Sequence, residues 1–359
     1  MGYQNVRTPR IYVDYGQYFK ALGQLTYDGS YLAGGRLIGL NPSNIQTFSS
    51  TGDSDWMTSH YNLPWTSPDQ MRINYCAWLG HNCATIGANF GVSTLADNQF
   101  FDVDFDTENR VNFIANTDAV KFDGFSLVQF SGGENGFETF RPSVFPHGGG
   151  GAGTINGDLK MGALSFGRYY DMPHSPDLSL TMSHEYDGVK TIRTKGGSTL
   201  SNANYHKPPM WGELDAWQLH HTGSSIRVGE YNPLYHMSGR RSWNLSFSFI
   251  ADKALEPYNH SGYEWSSDTD VSSDNSLGAE LPAQDNFFSD VLRYTMGGHL
   301  PFIFCPDPSI VFWDAFDGGW DRPPRVPEFA ICRFDMNSFE RKQVANNVYN
   351  VEFKIEESW

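Results

Sequence analysis

The sequence predicts an all-β fold: a jelly-roll-like β-sandwich followed by a small β domain carrying one packed α-helix. Three observations predict it. The 359 residues include 26 Phe, 18 Tyr and 10 Trp, rings that favour pleated surfaces and bury large areas. They also include 36 Gly and 19 Pro, which break the chain into short segments. Apolar residues then recur with period two in segment after segment, and one stretch alone shows helical spacing. The length exceeds one ordinary core, so two domains are expected. The first is 1–175 and the second 176–359, with the junction near Pro173 to Asp177.

Within Arg7 to Gly23 an extended piece comes first, with Ile11, Val13 and Tyr15 alternating with Tyr12, Asp14 and Gly16. The polar stretch from Asn41 to Gln70 reads as loop. MRINYCAWLGHN, FGVSTL, NRVNFIAN, FDGFSLVQFSG and NGFETFRPSVF follow as short strands between turn signals. That density points to a sandwich or jelly roll. HGGGGAGTINGD (His147 to Asp158) is a loop, and GALSFGRYYDM returns to strand.

The C-terminal third is the clearest part. In GRRSWNLSFSFI, Trp243, Leu245, Phe247 and Phe249 share one face, and Asn244, Ser246 and Ser248 share the other. A polar insertion at 259–285 reads as an exposed loop. In QDNFFSDVLRYTMGG, Phe287, Phe288, Val291, Leu292 and Thr295 make one apolar helical stripe, capped by Asp285 or Asn286 and closed by Gly297. HLPFIFCPD and PEFAICRFD are apolar strands. Pro301 sits where the first of them begins, and a missing N–H costs least there. In the last strand Tyr349, Val351, Phe353 and Ile355 alternate with Asn350, Glu352, Lys354 and Glu356. Period two implies one buried face and one wet face, with the helix packed on a small sheet.

This order resembles the C-terminal region of tail-tip and baseplate proteins of tailed bacteriophages (distal-tail-like virion proteins). The matching pieces are GRRSWNLSFSF, FFSDVLRYT, GGHLPFIF, EFAICRFD and VYNVEFKIEE. Met161 to Gly197 is similar to the segment of such proteins where a Gly-Arg-hydrophobic strand meets a Pro/Asp turn. RINYCAWLGHN (Arg72 to Asn82) is similar to the strand and Gly-His-Asn element of their N-terminal β domain. The matching pieces lie between Arg72 and Glu357. It implies a structural subunit, repeated in a ring and docked to tube, hub or fibres, and it carries over no catalytic residue. It also implies the virion tail as destination, after synthesis in a bacterial host cytoplasm.

The charge of −16 argues against nucleic acid, because phosphate binding needs Lys and Arg clusters. Only short pairs such as Arg240–Arg241 and Arg341–Lys342 occur. No stretch approaches the roughly 20 apolar residues that span a bilayer, and the first residues hold no apolar signal core. No membrane insertion is expected. Cys76, Cys83, Cys305 and Cys332 form no CxxC pair and read as buried thiols.

Candidate chemistry is outweighed by plainer readings. Gly148, Gly150 and Gly153 satisfy GxGxxG, but a turn follows where a dinucleotide site needs a helix. The HGGG run has no GxSxG partner in the chain. Asp102, Asp104 and Asp106 share one strand face that could hold Ca²⁺, and Asp268, Asp270 and Asp274 are similar. Solvated surface is the preferred reading for both. His220 and His221 are adjacent and so diverge on a strand, and His184, His206 and His236 lack zinc spacing. His81 is expected to fix the turn after its strand. No cofactor, metal or catalytic residue is therefore assigned. Trp211, Trp217, Trp265, Trp320 and Trp359, in or beside loop-like segments, are the candidate interface or glycan-contact aromatics. Two other readings stand beside the structural one: a glycan-binding receptor-recognition module that contacts host surface sugars, and a glycan depolymerase using paired carboxylates.

Overall fold

A computed structural model of the chain describes residues 6–28, 34–42, 44–49, 57–64, 73–93, 120, 123–129, 139–146, 155–178, 180–185, 189–203, 210–211, 214–215, 240–257, 286–308 and 329–358. The first strands are β1 (Arg10–Asp14), β2 (Thr26–Asp28), β3 (Gln46–Phe48), β4 (Met57–Thr58), β5 (His60–Asn62), β6 (Tyr75–His81) and β7 (Ala88–Ser93). There follow β8 (Gly124–Gln129), β9 (Thr139–Pro146), β10 (Leu159–Met161), β11 (Ala163–Asp171), β12 (Thr181–Glu185), β13 (Val189–Arg193) and β14 (Thr199–Ala203). The last are β15 (Met210–Trp211), β16 (Leu214–Asp215), β17 (Arg240–Ala251), β18 (Phe302–Cys305), β19 (Ala330–Phe334), β20 (Arg341–Ala345) and β21 (Val348–Glu357). Short helices accompany them: α1 (Tyr15–Ala21), α2 (Gly34–Leu37), α3 (Cys83–Ile86) and α4 (Asp252–Leu255), with a π-helical turn over Phe288–Leu292. No described helix is long and apolar enough to cross a membrane.

The fold is all-β, and its described strand pairs are antiparallel. Ten strands form one sheet in the order β12-β17-β21-β19-β18-β1-β11-β6-β8, with β20 on β21. Five form a second sheet, β2-β5-β9-β4 with β7 on β9, and β3–β10, β13–β14 and β15–β16 are two-stranded. In the large sheet Tyr12 of β1 lies opposite Tyr169 of β11 on one side and Ile303 of β18 on the other. Strands from 1–175 and from 176–359 thus share one hydrogen-bonded layer. The boundary expected at 175/176 does not coincide with a break in it.

Period two divides the core between the faces of this sheet. On one face, Ile11, Val13, Trp78, Phe166, Leu245, Phe304 and Phe353 belong to a single buried cluster. The five-stranded sheet covers its β6–β11 part as a sandwich. Phe90 stacks on Trp78 at 4.3 Å, Phe140 on Phe166 at 4.5 Å, and Tyr61 lies 5.0 Å from Phe166. Nearby, α1 meets the turn after the π-helix, with Tyr15 at 4.4 Å from Tyr294. Phe287 sits under that turn, 5.4 Å from Phe353 and 5.2 Å from Phe339. On the other face Tyr12, Ala77, Leu79, Leu127, Ile303 and Ile331 form a second buried cluster. Burial on both faces explains why β6 reads as a continuous apolar run.

Four expectations are corrected. The stretch from Asn41 to Gln70 contains β3, β4 and β5, each too short to display a period, with Met57 and Tyr61 buried. The extended start stops at Asp14, whose carboxylate accepts the Gln17 N–H at 3.1 Å and caps α1, so Tyr15 belongs to a helix. In the expected helix, Arg293 N–H bonds to Phe288 O, five residues back, which is π geometry. Phe287, Val291, Leu292 and Thr295 of the expected stripe are buried, together with Ser289, Asp290 and Tyr294, while Phe288 is exposed. Asn286 is the residue that caps this turn, accepting Ser289 N–H at 2.8 Å, and Gly297 closes it at φ 68°. Fourth, Phe249 does not share the face of Trp243, Leu245 and Phe247. All four cysteines are buried and none is in a disulfide.

Candidate interaction surface

The departure at Phe249 starts from register. Phe247 lies opposite Val351, and Ile250 lies opposite Tyr349. Three steps on β17 therefore match two on β21, which is a β-bulge. The extra residue lets Ile250 take the inward position, 1% exposed, and turns Phe249 out, 74% exposed. Phe249 holds φ 63°, a left-handed conformation that glycine takes readily and that costs an L side chain about 1–2 kcal/mol. Its N–H donates to Asn350 Oδ1 at 3.0 Å, replacing the lost ladder bond.

The neighbouring β20 is exposed along its whole length, and Val344 is bulged out of its pairing with β21. Local contacts fix this end of the sheet. Arg341 pairs with Glu256 and lies over the Tyr349 ring at 5.5 Å, and Asp252 N–H donates to Asn347 O at 2.9 Å. An outward aromatic residue held at a conformational cost marks a functional position more than a packing one.

The hairpin after β12 carries a second display. The β13–β14 hairpin places Ile192 directly opposite Leu200. Their exposures are 67% and 61%. Its turn is closed by Thr194 N–H to Ser198 O at 2.9 Å and Gly197 N–H to Thr194 O at 3.0 Å, with Gly197 at φ 82°.

The buried polar groups latch elements together. Arg10 holds Asp171 through two bonds of 2.6 and 2.7 Å, donates to Gln129 at 2.8 Å, and lies 4.0 Å over Tyr169. Gln129 in turn donates to Tyr12 Oη at 2.6 Å. Arg168 pairs with Asp290 at 3.1 Å and ties β11 to the π-turn. Arg241 pairs with Glu357 at 2.7 Å and donates to Phe329 O at 3.0 Å, joining β17, β21 and the start of β19. Burial raises Asp14 to about 6, against hydrogen bonds from Gln17 and Ser165.

His81 does what its Gly-His-Asn setting predicts. Its Nδ1 accepts the Cys83 N–H at 3.4 Å, so the ring proton sits on Nε2, which donates to Ser126 Oγ at 2.9 Å. Complete burial lowers it to about 3 and keeps it neutral.

Described residues line two open clefts. One, of about 400 Å³, is lined by Phe288, Leu292, Arg293, Met296 and Phe339. The other, of about 540 Å³, is lined by Lys20, Arg36, Asn41, Asn44 and Gln46. Lys20 Nζ there donates to Gly35 O and Ile38 O, both at 2.8 Å. Neither cleft lining includes a carboxylate or an imidazole. Among the described residues no three His, Cys, Asp or Glu side chains are grouped to hold a metal ion.

Of the sequence candidates, Trp211 lies on β15 opposite Leu214, and the β15–β16 hairpin runs beside β6 and β8. His184 lies on β12 opposite Arg241. Trp217, Trp265, Trp320 and Trp359 lie outside the described residues, as do Asp102, Asp104, Asp106, Asp268, Asp270 and Asp274. So do Gly148, Gly150, Gly153, His206, His220, His221 and His236. Sequence reasoning missed Phe249. The signal available was the adjacent apolar pair Phe249-Ile250 ending an alternating strand, where one residue must break the period. No family model, curated protein or solved structure matches this chain.

Proposed function

We propose that this chain is a structural subunit of a tailed-phage virion, at the tail tip or baseplate, working by oligomeric assembly and by docking hub or fibres. The observation that carries assembly is Phe249, an aromatic side chain held outward at a left-handed backbone position on the large sheet. A residue there contributes little to the monomer and much to a contact that buries it. The order of strand, helical turn and strand motifs in the C-terminal third supports placing that assembly in a tail. The acidic charge of −16 suits a protein kept soluble at high local concentration before assembly.

The test has two arms. Light scattering of the purified chain across concentration is expected to give a mass that is a multiple of the monomer. Antibody labelling of intact particles under the electron microscope is expected to mark the tail tip. A single copy at every concentration, or absence from particles, overturns the reading. Binding on a glycan array without self-association would favour a receptor-recognition module instead.

A further inference from the structure

Among the described residues Asn156 is the one asparagine followed by a glycine, Gly157. The pair sits in a bend that leads from buried Ile155 into β10, and both residues are exposed. Neither the Asn156 side-chain amide nor the Gly157 N–H has a hydrogen-bond partner among the described residues. Gly157 holds φ 120°, a conformation that L side chains rarely adopt. Outside its chain neighbours, a Cβ built there would meet only Ile86 Cγ2, at 3.9 Å. A glycine in open space leaves its backbone nitrogen accessible to the side chain before it.

The same bend is laced to the turn after β6. Asn156 N–H donates to Ile86 O, the last residue of α3, at 2.8 Å. Beyond the glycine, Asp158 O accepts Asn82 Nδ2 at 3.0 Å, and Lys160 N–H donates to Asn82 Oδ1 at 2.7 Å. The main chain is therefore clamped on both sides of the bond between Asn156 and Gly157. Those clamps satisfy backbone groups only while the spacing between them is kept.

We propose that Asn156–Gly157 is a modification site, where the asparagine converts to aspartate and isoaspartate with water as the only co-reactant, and that isoaspartate loosens the turn after β6. The Gly157 nitrogen attacks Asn156 Cγ. A bond from that nitrogen to Cγ forms and the Cγ–Nδ2 bond breaks. The side-chain nitrogen leaves as ammonia, carrying the proton of the Gly157 N–H. Water then opens the cyclic imide. Cleavage of the new bond to Cγ gives aspartate. Cleavage of the bond to the Asn156 main-chain carbonyl gives isoaspartate, whose backbone runs through the former side chain and is longer by a carbon. Both products add a negative charge. Isoaspartate alone lengthens the chain between the two clamps, and so moves the Ile86 and Asn82 bonds out of register.

The experiment holds the full-length chain in mildly alkaline buffer and samples it over time. Cleavage after Glu138 separates the site from Asn135–Gly136, which lies outside the described residues. Mass spectrometry of the resulting peptide is expected to show NH₂ exchanged for OH at residue 156, and fragmentation to assign isoaspartate among the products. The aged wild type is expected to unfold at a lower temperature than the fresh protein. Aged Asn156→Gln, whose longer side chain closes a less favoured ring, is expected to keep its midpoint. Fresh Asn156→Asp is expected to match fresh wild type, which separates added charge from added length. An intact Asn156 after a free peptide of Thr154 to Asp158 has converted overturns the modification site. Conversion without a lower midpoint, or an equal fall in aged Asn156→Gln, overturns the loosening of the turn.

Discussion

Phe247 and Phe249 are two residues apart on one strand, and their surroundings are opposite. Phe247 is fully buried and stacks on Phe353 at 5.5 Å. Replacing it with Ala deletes buried ring atoms and leaves a cavity, a loss of about 3–5 kcal/mol. Phe249 is 74% exposed. About a quarter of its roughly 200 Å² is therefore covered, worth about 1 kcal/mol. Phe249→Gly loses that packing, and roughly 0.5–1 kcal/mol more through chain entropy. It regains about 1–2 kcal/mol by relieving the left-handed backbone. The terms nearly cancel, so Phe249→Gly is expected to fall within about 1 kcal/mol of wild type. Urea unfolding followed by tryptophan fluorescence, at a concentration where association is negligible, measures both. A loss of 3 kcal/mol or more for Phe249→Gly would refute the reasoning, because it would make Phe249 a core residue. Equal, small losses for both variants would refute the assigned register.

Three further outcomes follow from the same contacts. The folded Asp14 carboxyl is raised from 3.8 to about 6 by burial. Its stabilising contribution is thus full below pH 3.8 and lost as pH rises through 6, at most about 3 kcal/mol. Asp14→Asn keeps a capping residue, and its stability should fall less than wild type between pH 4 and pH 7 in parallel urea titrations. An identical pH dependence would contradict the burial of that carboxyl. Glu357→Ala leaves Arg241 without its carboxylate in a nearly closed site, a cost of about 3–5 kcal/mol in thermal or chemical unfolding. Gly162→Ala would set a Cβ 2.0 Å from the Pro42 carbonyl oxygen. The backbone must move, and a loss of at least about 1–3 kcal/mol is expected by the same measurement.

The strands were legible wherever alternation ran for several residues. β17 and β21 pair along faces that the period of Trp243, Leu245 and Phe247 and of Val351, Phe353 and Ile355 already defines. The single sheet was not legible, because the pairing of Tyr12 with both Tyr169 and Ile303 is a long-range event without local signal. β3, β4 and β5 are too short to show a period. The cap at Asp14 is readable in principle, with Tyr15 and Phe19 four apart behind it, but the alternation from Ile11 to Tyr15 concealed it. The π-turn keeps the three-four spacing from Phe287 while excluding Phe288, a choice that depends on how the turn seats on the sheet. The interaction surface was least legible. Tryptophans in polar segments were the sequence candidates, whereas exposure at Phe249 arises from a bulge that only the facing strand defines.

On the assembly reading proposed above, outward-held apolar side chains join copies of this chain. Sedimentation velocity of the intact protein beside Phe249→Ser tests it most directly. An oligomer is expected for wild type, a shift toward the single chain for Phe249→Ser, and equal thermal midpoints measured at low concentration. Identical sedimentation of the two proteins, whether as oligomer or as single chain, would contradict it.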